Sequence, residues 1–185
     1  MSRIFSIVIL IIALLYPPAS ESQTLSGPEV KLVNNDLFVS FSLGLEDKSL
    51  NAIRGGVEKE FNFYIDLFRI WKIWPDEFVL GKVYIKTLKV DPIKKEYVGT
   101  SSDGSVIIER RFKSFESMMD WTLLFKDLKL INSRELEPAQ YFVRITAESK
   151  IRKLPPVIGY LFIFVSENEF RIMKDSTVFT IESSR

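Results

Sequence analysis

The chain has 185 residues, of which 46% are hydrophobic and 26% charged, as in a single folded domain and unlike a disordered chain. Lysine and arginine number 25 against 24 aspartates and glutamates, which leaves no excess positive charge of the kind that holds nucleic acid. Histidine and cysteine are both absent, and with them go the commonest general base, the usual zinc ligands, the thiol nucleophile and any disulfide.

The N-terminus carries the three parts of a secretory signal peptide. Arg3 is the positive residue, residues 4–16 are mostly apolar, and Pro17-Pro18 end any helix before the small residues Ala19, Ser20 and Ser22. Thirteen residues are few for a bilayer span. The expectation is a signal peptide over residues 1–22, cleaved after Ser22 or Ser20, and an exported, periplasmic domain over residues 23–185. The alternative is an uncleaved anchor, with residues 4–16 tethering the domain to the inner membrane. With no cysteine to modify, an N-terminal lipid is excluded.

Residues 29–33 and 37–43 read as two strands joined at Asn34-Asn35-Asp36, a turn-prone cluster. In the second strand Leu37, Val39 and Phe41 share one face. Leu50 and Ile53 share a helical face in EDKSLNAIRGG, which Gly55-Gly56 can stop. In the stretch FNFYIDLFRIWKIWPDEF, Phe61, Phe63, Ile65 and Leu67 form one strand face, after which the alternation slips. Fourteen residues at about 3.3 Å each is long for one flat strand. A bulge near Leu67–Phe68 would exchange the faces and let one bent strand serve the core on two sides.

The turn WPDE leads back into residues 78–90, with Val79, Val83 and Ile85 expected inward and Lys82 and Lys86 outward. Asp103-Gly104 marks a hairpin between strands at residues 96–99 and 106–112. Ser114 can cap a helix running to Phe125, with Phe115, Met118 and Met119 as its apolar stripe. Residues 127–132 make a short strand. QYFVRITAESKIR then alternates Tyr141, Val143, Ile145 and Ala147 against Arg144, Thr146, Glu148 and Lys150. An apolar run at 157–165 and one or two strands within 170–181 close the chain. Many short strands, frequent turns and few helices indicate a mainly β fold, an antiparallel β-sandwich with one or two short covering helices.

The order of these features resembles an exported bacterial family described as domain of unknown function 4390. The resemblance rests on Asn51-Ala52-Ile53, Gly56, Phe63, Arg69 and Trp71 or Trp74, on Tyr97, and on Leu154-Pro155-Pro156. Where the family has a tyrosine-led turn before Tyr97, this chain reads Val90-Asp91-Pro92-Ile93. The resemblance covers essentially all of the chain after the leader. It implies an exported β domain of the cell envelope and assigns no activity.

Two groups of residues are candidates for contact with a partner. Arg69, Trp71, Lys72 and Trp74 stand at the end of the long strand and are the types that dominate binding hot spots, although a buried corner with both tryptophans capping the sandwich would read the same way. Tyr160, Phe162 and Phe164, in the apolar run, could meet a membrane surface or a partner, or fill the core. The acids Asp66, Asp76, Asp91 and Asp103 are scattered over turns and strand faces. No phosphate loop, nucleophile elbow or metal-ligand spacing is present. The expected function is non-catalytic, without cofactor or metal: an interaction with an envelope protein, the alternatives being a membrane-surface module and a carboxylate- or serine-dependent enzyme.

Overall fold

A computed structural model of the chain describes residues 22–151 and 168–182. The leader at 4–16 and the run holding Tyr160, Phe162 and Phe164 lie outside the described residues. The strands are β1 (Thr24–Val33), β2 (Asp36–Gly44), β3 (Lys59–Arg69), β4 (Glu77–Asp91), β5 (Glu96–Ser102), β6 (Ile107–Phe112), β7 (Leu124–Asn132), β8 (Ala139–Ile151), β9 (Asn168–Asp175) and β10 (Phe179–Ile181). Helix α1 (Asp47–Arg54) connects β2 to β3, and helix α2 (Phe115–Leu123) connects β6 to β7. Among the described residues no helix is long and apolar enough to cross a membrane.

The strands form two antiparallel sheets. The smaller has the order β1-β2-β7, and the larger runs β10-β8-β3-β4-β5-β6, with β9 also paired to β8. The β1–β2 hairpin closes where Val33 pairs with Asp36, and Asn34 and Asn35 take φ values of 50° and 66°. Asparagine tolerates that left-handed geometry, which is why the cluster makes a tight turn. β1 begins earlier than its alternation suggests. It continues back through a register shift between Ser26 and Glu29, where Gly27-Pro28 disguises a strand as a break.

The core lies between the sheets. Leu37, Val39, Phe41 and Leu43 of β2 face Phe61, Phe63, Ile65 and Leu67 of β3, all of them buried. Phe63 is the hub: its ring centroid lies 4.9 Å from Phe125, 6.0 Å from Phe41 and 6.4 Å from Phe61. The larger sheet outruns the smaller on the β5–β6 side, and α2 covers that overhang. Ser114 Oγ accepts from Ser117 N at 3.2 Å and caps α2, as the sequence predicts.

Three local expectations are corrected. The register slips between Leu67 and Phe68 as expected, but the extra residue is Val79 on β4, because Leu67 pairs with Leu80 and Phe68 with Phe78. β3 itself stays in step with β8 from Lys59–Ile151 to Arg69–Tyr141 and ends there. Its faces are therefore not exchanged. Phe68 points outward, stacking on Phe142 at 5.2 Å.

The second correction inverts β4. Leu88 and Val90 are buried, whereas Val79, Val83 and Ile85 are exposed. Lys82 and Lys86 point inward instead, because this part of β4 lies under the rim of the small sheet, where carbonyls are in reach. Lys82 Nζ donates to Lys129 O and Lys86 Nζ to Trp121 O, each at 2.7 Å. The third concerns α2, which ends at Leu123, so that Phe125 is a core strand residue stacked on Phe41 at 4.5 Å.

Candidate functional site: an aromatic corner

The pairing of β3 with β8 persists one step beyond Arg69, where Ile70 N donates to Gln140 O at 2.8 Å. The chain then leaves the sheet for Trp71, Lys72, Ile73, Trp74 and Pro75 before β4 begins at Glu77. The inner face ends at this corner, so Arg69 continues the phase of Leu67 but meets solvent and acids. Its Nη1 lies 2.6 Å from Glu137 Oε2 and 3.9 Å from Glu77 Oε2. The guanidinium stacks on the Trp71 ring at 4.3 Å, and Trp71 Nε1 donates to the same Glu77 oxygen at 3.0 Å. Glu137 is held in turn, its carbonyl accepting from Tyr141 Oη at 2.7 Å. Burial raises the pKa of that tyrosine, with Arg69 acting against it.

These surface bonds tie Arg69 and Trp71 to the two acids, and Lys72, Ile73 and Trp74 project beyond them. Ile73 is 90% exposed, Trp74 75% and Trp71 42%, so the tryptophans do not cap the sandwich. Leaving an aromatic side chain in water forgoes up to about 3 kcal/mol of burial. A groove of about 580 Å³ lies beside them, floored by Pro138, Ala139 and Gln140 of the β8 entry and by Thr180 and Ile181 of β10. Arg69, Trp71, Lys72 and Trp74 all line it. Lys72 has no ion-pair partner among the described residues.

The acids singled out in the sequence go elsewhere. Asp91 Oδ1 accepts from Ile93 N and Lys94 N at 3.0 Å, and the Lys94 bond leads in holding its pKa below the usual range. Asp103 Oδ1 accepts from Ser105 N and Val106 N at 2.9 Å, with the same consequence. Both are turn formers. Asp66 and Asp76 act on Arg144, on the outer face of the large sheet, which Asp175 grips with bonds of 2.7 and 2.8 Å. Burial raises the pKa of Asp66 and Arg144 opposes the shift. Among the described residues no three acidic side chains gather in a way that could hold a metal ion.

Sequence reasoning missed Glu77, Glu137 and Gln140 at the corner. Glu77 could have been found from the hairpin pairing that sets it opposite Arg69. Glu137 and Gln140 arrive from a segment about 70 positions away, and nothing local announces them.

Residues 21–177 match the family model described as a domain of unknown function, DUF4390. The chain belongs to that family. Neither a curated protein nor a solved structure matches it. The DUF4390 match spans the whole sandwich up to β9, corner included, and brings no catalytic assignment with it.

Proposed function

We propose that this DUF4390 chain is an exported envelope protein that catalyses nothing and binds another envelope protein through Arg69, Trp71, Lys72 and Trp74. The observation that carries the reading is a pair of highly exposed apolar side chains, Ile73 and Trp74, beside an open groove and next to Arg69, which is paired with Glu137. Exposed tryptophans beside an arginine are the residue types that dominate binding hot spots.

The chain's path is consistent with this. Thr24 sits beside Gly44, at the end of the hairpin away from the Asn34-Asn35 turn. That turn is tied through Ser133 N to Asn35 O, 2.6 Å, to the segment that enters β8 at the corner. The first described strand therefore begins at the end of the hairpin away from the corner. The membrane-surface reading through Tyr160, Phe162 and Phe164 concerns residues outside those described.

Photo-crosslinking in the native host tests the proposal, with the reactive residue at position 74 and, as control, at the exposed Lys48 of α1. The expected result is one discrete protein adduct from position 74, absent from position 48 and lost in a Trp71→Ala background. Lipid adducts alone, or the same adducts from both positions, refute it.

A further inference from the structure

We infer that the free edge of β6 is a self-association surface, which joins the large sheets of two copies antiparallel about a twofold axis through Arg110. β6 pairs only with β5 among the described residues, and residues 107–111 are all exposed, Ile107 at 77%. An unpaired strand edge invites another strand, and the charges of Glu109, Arg110 and Arg111 restrict which strand can add. The small sheet guards its own outer strands with lysines: Lys82 reaches Lys129 O on β7, and Lys174 reaches Leu25 O on β1 at 3.0 Å. No such bond is present on β6 among the described residues.

The side-chain order of β6 selects the occupant. Glu109 pairs with Thr100 and Arg111 with Val98, so both lie on the outer face of the sheet, while Ile108, Arg110 and Phe112 lie on the inner one. Antiparallel neighbours across a twofold axis normal to the sheet keep their faces, so residues can oppose each other only within one face. With the axis at Arg110, Glu109 opposes Arg111 of the second copy and Ile108 opposes Phe112, each twice by symmetry. Two charge pairs and two apolar pairs result. Neither Glu109 nor Arg111 has an ion-pair partner in its own chain among the described residues, so these pairs break nothing. The one like-charge contact is Arg110 with itself. Its guanidinium leans over the Phe112 ring of its own strand, 5.3 Å from the centroid, so the two groups point in opposite directions along the strands. Shifting the axis to Glu109 would set Glu109 against itself and lose both charge pairs. A second copy therefore satisfies this edge, and the register centred on Arg110 is the one that pairs Glu109 with Arg111 inside the strand.

The test is sedimentation of the full chain in detergent or buffer at low salt over a range of concentrations, with melting temperatures as folding controls. The wild type is expected to dimerise, and Glu109→Arg or Arg111→Glu to weaken the dimer about thirtyfold, from two lost attractions and two new repulsions. The double variant Glu109→Arg/Arg111→Glu restores the pairing with its sign exchanged and should recover the dimer. A monomer at every concentration overturns the inference. So does a dimer indifferent to the single reversals, or a double variant no tighter than either single.

Discussion

Lys86 offers the sharpest quantitative test of the packing. Its side chain points inward and the residue is 6% exposed. The ammonium donates to Trp121 O at 2.7 Å and lies 4.0 Å from the Phe125 ring centroid and 5.0 Å from that of Trp121. Those contacts favour the charge, but burial outweighs them and lowers the pKa to about 8, from 10.5. The unfolded chain keeps the ordinary value. Between pH 8 and 10.5 the unfolded state therefore holds a proton that the folded state has released, and stability rises with pH in that window. Below pH 8 both states are charged and the penalty is fully present. A drop of about 2.5 pKa units corresponds to about 3 kcal/mol.

The perturbation is Lys86→Met, which keeps a flexible apolar stem against Phe125 and Trp121 and removes the charge. The lost bond to Trp121 O costs about 1 kcal/mol, so at pH 7 the variant is expected to be about 2 kcal/mol more stable than the wild type. The advantage should fall away by pH 10.5, as the wild type sheds its proton. Urea unfolding at half-unit steps from pH 7 to 10.5 reads this as a difference between two curves. Other titrations, including that of Tyr84, whose pKa burial raises, are common to both proteins and cancel. Parallel curves, with a constant gap at every pH, would show that the ammonium is hydrated and that β4 does not lie under the rim of the small sheet.

Other substitutions read other parts of the fold. Phe63→Ala removes the ring on which Phe41, Phe61 and Phe125 converge, and should lower the unfolding free energy by about 3–5 kcal/mol in urea. Trp74→Ala, by contrast, should leave stability within about 0.5 kcal/mol by the same measurement, because the ring is in solvent. Gly99→Ala would place a methyl 2.9 Å from Trp121 Cζ3 and 3.2 Å from Phe112 Cε2. Displacing those rings should cost about 1–3 kcal/mol and change the tryptophan emission of the native state. Lys59→Met leaves Glu169 without the 2.7 Å partner that Lys59 provides, and a loss of about 2 kcal/mol in the same assay is expected because Glu169 keeps some access to water.

What was legible in the sequence depended on how far each residue's environment was set by its neighbours. The faces of β2 and β3 could be read because both strands lie mid-sheet under a complete opposing layer, where the alternation of Phe61, Phe63, Ile65 and Leu67 has one solution. The turns could be read because Asn34-Asn35 and Asp103-Gly104 carry their own backbone chemistry. β4 was misread for a physical reason. Both its phases contain apolar residues, and a lysine counts as outward-facing only where inward means dry. At the rim of a three-stranded sheet, inward leads instead to the edge carbonyls of β7 and the end of α2, which the ammonium groups of Lys82 and Lys86 satisfy. Val83 and Ile85 are left on the outer face as a result.

The corner was legible in part by the same logic. Arg69, Trp71, Lys72 and Trp74 fall within six residues, just before the turn signal at Pro75. Whether they were buried was not legible. That depended on the β8 entry and β10, which could have closed over the tryptophans. They form instead the floor of an open groove, and Glu137 takes the Arg69 charge without covering the rings. A core corner would satisfy Arg69 and bury both indoles; here Arg69 is paired with Glu137 and stacked on Trp71, while Ile73 and Trp74 stay in solvent. Structural need accounts for the ion pair and not for Ile73 and Trp74, so the exposed pair is where a binding function has room to reside.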